Sequence, residues 1–174
     1  MGTLYRYLIV FIVLAQLVTA CSAQSARAKP AISQAHQYRQ LLGKLVTETA
    51  VSDLLAASNC VRAAPFEVCK EAGLALWMDA SGIVQNIYLY LHNGDGFTSY
   101  KGDLPFGLKF YDTMGAVEYK LNRQGIGKEG RPDEAAVPDH FHYWAFYGEA
   151  SMTIIYNTPF ADEDATIYAI VLNG

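Results

Sequence analysis

His140 and His142 stand two residues apart in a stretch of strand-like character, so an extended chain turns both imidazoles to one side, where a metal ion could bind. No third ligand stands beside them, because Asp139 is adjacent and its carboxylate points elsewhere once the strand has begun. Alternating with Phe141 and Tyr143, the two histidines read as the polar half of a strand, and no metal is expected. Ser99, His140 and Asp112 supply the residue types of a hydrolytic triad, yet no serine sits in a nucleophile elbow. His36 and His92 have no nucleophile near them in the chain. Gly94-Asp95-Gly96 reads as a turn rather than a phosphate loop, and the acids between Asp95 and Asp103 lack the regular spacing of a calcium loop. The chain therefore reads as a non-enzyme with no cofactor. Two cysteines, Cys60 and Cys69, are separated more widely than the short pairs of zinc sites, and a disulfide between them is expected, with two buried thiols as the alternative. The carboxylate run Asp162-Glu163-Asp164 is either a solvated hairpin turn that keeps a sheet edge soluble or an acidic finger for a basic cleft on a partner.

The third cysteine points to different chemistry. Leu17-Val18-Thr19-Ala20-Cys21 closes an apolar run, residues 7–17, that follows the basic Arg6. That run is too short to span a bilayer, which takes ~20 apolar residues, and has the flanks of a cleaved export signal. The order Val-Thr-Ala-Cys resembles the lipobox of bacterial lipoproteins, in which the cysteine thiol takes diacylglycerol before cleavage and becomes the acylated N-terminus. The resemblance implies that residues 1–20 are a signal peptide and that Cys21 is lipidated, anchoring the chain to a membrane in the periplasm. Ser22, where some lipoproteins carry a retaining aspartate, points by the same resemblance to the outer membrane. With Cys21 acylated, Cys60 and Cys69 remain an even pair in an oxidising compartment.

Removing residues 1–20 from the 174 leaves 154, enough for one domain with a real core or two small modules. Twelve basic and 17 acidic residues remain, without a Lys/Arg cluster, so nucleic acid is not an expected partner. Twelve tyrosines, eight phenylalanines and two tryptophans fit a β-rich protein with an aromatic core or binding face.

The elements that must position these residues follow from periodicity. Residues 21–30, small and polar with a terminal proline, form a flexible tether to a single domain over 31–174. A helix begins at Ala31, with Tyr38, Leu41, Leu42, Leu45 and Val46 on one stripe. A second helical stretch covers 51–57 and a third 113–121. Strands are expected at 66–70, 74–78, 85–92, 96–101, 141–147, 152–156 and 166–172, with a tight turn at 93–96 and a long polar loop over 125–139. The two halves look alike: Glu71-Ala72-Gly73-Leu74 can be laid on Glu149-Ala150-Ser151-Met152, giving repeats over 31–101 and 102–174. The expected fold is α+β, an antiparallel sheet built from two helix–β-meander units with helices packed on one face. Trp144, Phe146 and His142 fall on one side of their strand, and Phe141, Tyr143 and Tyr147 on the other. A side left uncovered by helices is a protein-binding surface, since Tyr and Trp dominate interface hot spots.

This tandem plan resembles those of the β-lactamase inhibitor proteins and of the small lipoproteins of outer-membrane assembly. The stretch Tyr100-Lys101-Gly102-Asp103-Leu104-Pro105-Phe106-Gly107-Leu108-Lys109-Phe110 is similar to a motif in immunity proteins of bacterial toxin systems. In that family a Gly-rich loop, an aromatic strand and an I-x-Y strand follow, and residues 125–130, Tyr143-Trp144 and Ile154-Ile155-Tyr156 occupy those places. The chain departs from the family in carrying Leu121-Asn122-Arg123-Gln124-Gly125 where Leu-Gly-x-Pro is usual. The resemblance implies a periplasmic, lipid-anchored immunity protein that binds and inhibits a toxic effector acting on the cell envelope. The helix–meander likeness implies the alternative, a structural lipoprotein assisting envelope or outer-membrane assembly. Tyr143, Trp144, Asp162, Glu163 and Asp164 are the candidate partner-binding residues.

Overall fold

Period-two patterning builds most of the sheet. In the computed structural model, which describes residues 34–91, 96–130 and 142–174, the strands are β1 (Val61–Ala63), β2 (Phe66–Cys69), β3 (Leu74–Met78), β4 (Val84–Tyr90), β5 (Tyr143–Tyr147), β6 (Met152–Tyr156) and β7 (Ile167–Asn173). They pair antiparallel in one open sheet ordered β1-β2-β3-β4-β7-β6-β5. Among the described residues three α-helices, α1 (Gln34–Arg39), α2 (Thr49–Ala57) and α3 (Met114–Asn122), complete an α+β fold. The expected lipobox with Cys21, the expected tether, Asn93–Asp95, His140, Phe141 and the end of the 125–139 stretch expected as a loop lie outside the described residues. Among those described, no helix is long and apolar enough to cross a membrane.

The register lays side chains in rows across the sheet. One row runs Cys69, Leu74, Leu89, Ile170, Ile154, Ala145, and the row two residues away runs Glu67, Leu76, Ile87, Leu172, Met152, Tyr147. All except Glu67 belong to one buried apolar cluster with Tyr38 of α1, Val51 of α2 and Met114, Val117 and Leu121 of α3. The intervening rows, such as Val68, Ala75, Tyr88, Val171, Thr153, Phe146, contribute nothing to that cluster. The described helices therefore cover one face. Each aliphatic side chain buried in the covered rows contributes about 1.5–3 kcal/mol. A one-residue slip would exchange the faces, so this burial fixes the register.

The two hairpins that flank the centre share a turn. A 3-10 turn at Lys70–Ala72 followed by left-handed Gly73 joins β2 to β3, and one at Gly148–Ala150 followed by left-handed Ser151 joins β5 to β6. Tyr90 N–H donates to the Gly73 carbonyl and Asn173 N–H to that of Ser151, each at 2.9 Å. Glu71-Ala72-Gly73 and Glu149-Ala150-Ser151 thus hold equivalent places, as do Cys69 and Tyr147. The outer edges correspond as well, with Val61 opposite Val68 and Gly130 bridged to Phe146.

Two expected elements differ. The helix over Tyr38–Val46 stops at Arg39, because Gly43 (φ 77°) turns the backbone left-handed. The chain then bonds to the sheet rim instead, Gly43 N–H to Val84 and Val46 N–H to Gly82, leaving Leu45 44% exposed. The strand expected over 96–101 is a crossing segment. Phe97 lies against Tyr90 on the open face, while Tyr100 is buried in the helix-side cluster, 6.1 Å from the Tyr38 ring. This segment and the buried Leu104, Pro105 and Leu108 after it account for most of the Tyr100–Phe110 motif as a path round the end of the sheet. β1 was not legible, since all three of its residues are exposed and carry no alternating pattern.

Candidate functional site

The uncovered face is where this fold departs from an ordinary two-layer core. Ring contacts run across it from strand to strand: Phe66 to Tyr88 at 5.9 Å, Tyr88 to Tyr90 at 6.2 Å, and Tyr90 to Phe97 at 4.0 Å. The series continues from Tyr90 to Tyr168 at 6.1 Å and from Tyr168 to His142 at 4.2 Å. Small residues make room for the rings, with Ala75 opposite Tyr88 and Ala169 opposite Tyr90.

A bulge supplies one of those rings. Ile155 opposes Ala169 and Tyr156 opposes Ile167, so Tyr168 is the extra residue of a β-bulge in β7. The extra residue sends Ile167 into the core and Tyr168 to the open face beside Tyr90.

Trp144, Phe146, Ile155 and Val171 extend the same surface by register, and Trp77 sits beside Phe66. The cross-strand rows on this face are filled by apolar, aromatic, Thr and Asn side chains, without an acid or a base. Lys70 reaches the margin, its Nζ 6.0 Å from the Phe97 ring centre. Burial raises the Tyr88 phenol pKa above the ordinary tyrosine value, so its hydroxyl stays a neutral donor at physiological pH. Most of these rings are partly exposed. A face of part-exposed aromatics with few polar groups holds little solvation to lose and can bury much area in a complex.

Comparison with protein-family models, curated proteins and solved structures gives no match. The face must therefore be read from its own chemistry.

The candidate residues from the sequence separate in space. Trp144 lies on the open face, whereas Tyr143 points to the helix side, its ring 6.1 Å from buried Tyr156. Asp162, Glu163 and Asp164 are exposed in the β6–β7 turn. Asp162 Oδ1 accepts from Asp164 N–H, and the Glu163 carbonyl accepts from Gly115 N–H at the start of α3. The acidic turn is thus docked on the helix side, away from the face that carries Trp144. Cys60 and Cys69 form a disulfide with Cα atoms 4.1 Å apart, fastening the segment before β1 to the end of β2.

Of the residue types for a hydrolytic triad, His140 lies outside the described residues and Asp112 is engaged elsewhere. Lys120 Nζ holds both oxygens of buried Asp112, at 2.8 and 2.7 Å, and Lys109 N–H also donates to it. His142 stacks on Tyr168, and no cluster of three His, Cys, Asp or Glu with metal-site geometry occurs among the described residues. Sequence reasoning missed Phe66, Trp77, Tyr88, Tyr90 and Tyr168 as surface residues. The alternation Ile87-Tyr88-Leu89-Tyr90 carried the signal for two of them.

Proposed function

We propose that this chain is a periplasmic, lipid-anchored immunity protein that binds and inhibits a toxic effector acting on the cell envelope. The single observation behind this reading is the aromatic face on the side of the sheet that the described helices leave open, with Tyr90 and Tyr168 on its central strands and Trp144 on the edge strand β5. Large rigid aromatics give contact area at small entropic cost, which suits tight and specific protein binding. The lipobox-like Val18-Thr19-Ala20-Cys21 supports an anchor through Cys21, which concentrates the binder at the membrane that the effector attacks. Within this reading Trp144 is the partner-binding residue of the original candidates, and Tyr143 acts by supporting the core beneath it. Asp162, Glu163 and Asp164, standing off the face, steer approach to a basic effector through long-range charge.

The reading expects an effector encoded beside this gene, and the test is protection of cells that carry it. Expression of the chain should restore growth, and Trp144→Asp combined with Tyr90→Asp should abolish protection while the melted domain keeps its cooperative transition. A general permeability defect on deletion, seen without any effector, would replace this reading with a structural role in envelope assembly. Protection that is lost on Cys21→Ser would show that the anchor is needed.

A further inference from the structure

A second recess lies apart from the aromatic face and does not depend on the function proposed above. It is a cavity of about 250 Å³ lined by His36, Arg39, Pro105, Phe106, Glu149 and Ala150. Three separate elements build it: α1, the Pro105–Gly107 turn and the Gly148–Ala150 turn. The Arg39 Nη2 is buried and has no hydrogen-bond partner among the described residues. The guanidinium is 5.8 Å from the centre of the Phe106 ring. Phe106 itself is held at φ 56°, ψ 22°, a left-handed conformation that a non-glycine residue adopts at a cost of about 1–3 kcal/mol. Gln124 Nε2 braces that strained residue by donating to its carbonyl at 3.1 Å.

A buried guanidinium nitrogen without a partner and a strained aromatic on one cavity wall are each unfavourable for the free fold. Both are explained at once by a ligand. We propose that the cavity is a carboxylate-binding site in which Arg39 holds a monocarboxylate and Pro105, Phe106 and Ala150 hold the apolar carbon next to it.

The planar fork of arginine matches the two oxygens of a carboxylate. Phosphate shares the fork but carries more negative charge, and Glu149 in the same wall disfavours a dianion more than a monoanion. The apolar part of the lining fits an aliphatic neighbour, as found beside a peptide C-terminus or an acidic side chain.

The site can be tested by nuclear magnetic resonance on the folded domain with three capped probes. These are N-acetyl-alanine, with a terminal carboxylate; N-acetyl-aspartic acid α-amide, with a side-chain carboxylate; and N-acetyl-alanine amide, with none. The Arg39 Nε–H resonance and the Phe106 and Ala150 amides should shift saturably in the millimolar range with a carboxylate probe and not with the amide. Saturation by N-acetyl-alanine alone assigns a terminal carboxylate as the natural group, and saturation by both acids extends it to acidic side chains. Arg39→Met should weaken binding at least tenfold without lowering the melting temperature of the free domain, because it removes a nitrogen that has no partner there. Arg39→Lys, which keeps charge but loses the fork, provides the same readout should the methionine variant fold poorly. Glu149→Gln should tighten binding about threefold by removing like-charge repulsion. Failure of both acids to saturate, equal binding of the amide, or unchanged binding in both Arg39 variants would overturn the proposal.

Discussion

The turn that ends β2 and the turn that ends β5 follow the same backbone path among different neighbours. Over the first, the crossing segment approaches so closely that a Cβ at Gly73 would lie 2.5 Å from the Thr98 carbonyl oxygen and from the Tyr100 nitrogen. In the second, Ser151 keeps its side chain, exposed among the described residues, at φ 42°. The next position on the covered face differs too. In the first half it is Cys69, crosslinked to Cys60; in the second it is Tyr147, which packs in the core near Tyr156. One pleat geometry is thus secured in one half by close backbone contact and a covalent staple, and in the other by aromatic volume. The difference places the conformational constraints of the first half in the chain itself and those of the second in its side chains.

Substitutions sort by which of these devices they remove. The largest loss is expected from Tyr156→Ala, which empties a fully buried aromatic site and should cost about 3–5 kcal/mol in denaturant unfolding. Gly73→Ala should follow at about 3 kcal/mol, since it combines left-handed strain with a backbone clash; Ser151→Ala, equivalent in register, should cost little. Should the two variants prove equally mild, the contrast between the turns fails. Replacing both Cys60 and Cys69 by serine should cost about 2.5–3 kcal/mol, the loop entropy of a crosslink spanning nine positions. The same double change should leave the melting of a disulfide-reduced sample unaltered.

Alkali should weaken the fold through its buried tyrosines, those of the second half included. Burial raises the pKa of Tyr156 and Tyr147 above the ordinary phenol value. The folded state therefore keeps protons that the unfolded chain releases above about pH 10. Stability is complete below that pH and falls as pH rises beyond it, by about 1.4 kcal/mol per pH unit for each such tyrosine. Denaturant midpoints taken from pH 9 to 11.5 should show this slope, and Tyr156→Phe should reduce it. The smallest effect is expected from Ser151→Gly, a gain of about 0.5–1 kcal/mol from relief of the left-handed strain that Gly73 avoids.

Much of this architecture was legible because burial imposes periods on a sequence. Leu74–Met78 and Met152–Tyr156 were read to the residue, since strand patterning and flanking turns agree there. The shared Glu-Ala-Gly and Glu-Ala-Ser turns were legible as a repeat for the same reason. What misled was patterning without context. Leu41, Leu42, Leu45 and Val46 keep helical spacing although Gly43 ends the helical path, because spacing says nothing about a competing backbone partner. The aromatic face was half visible: alternation separated Trp144 from Tyr143, yet only the register could show that Phe66, Tyr88 and Tyr168 join it from other strands. Tyr168 could not be assigned a side at all, because a bulge breaks the rule of two.

The seam between β4 and β7 has a kinetic consequence. The four-strand meander β1–β4 and the three-strand meander β5–β7 each pair neighbours in sequence, but the seam joins Asn86 to Asn173 and Tyr90 to Ala169. Closing a loop of that length costs on the order of 4 kcal/mol of chain entropy before any contact returns it. The meanders should therefore form early and dock late, with the rate of folding set at the seam. Substitutions of Ile87 or Ile170 on the two sides of it should slow refolding, whereas changes at β1 should mainly hasten unfolding.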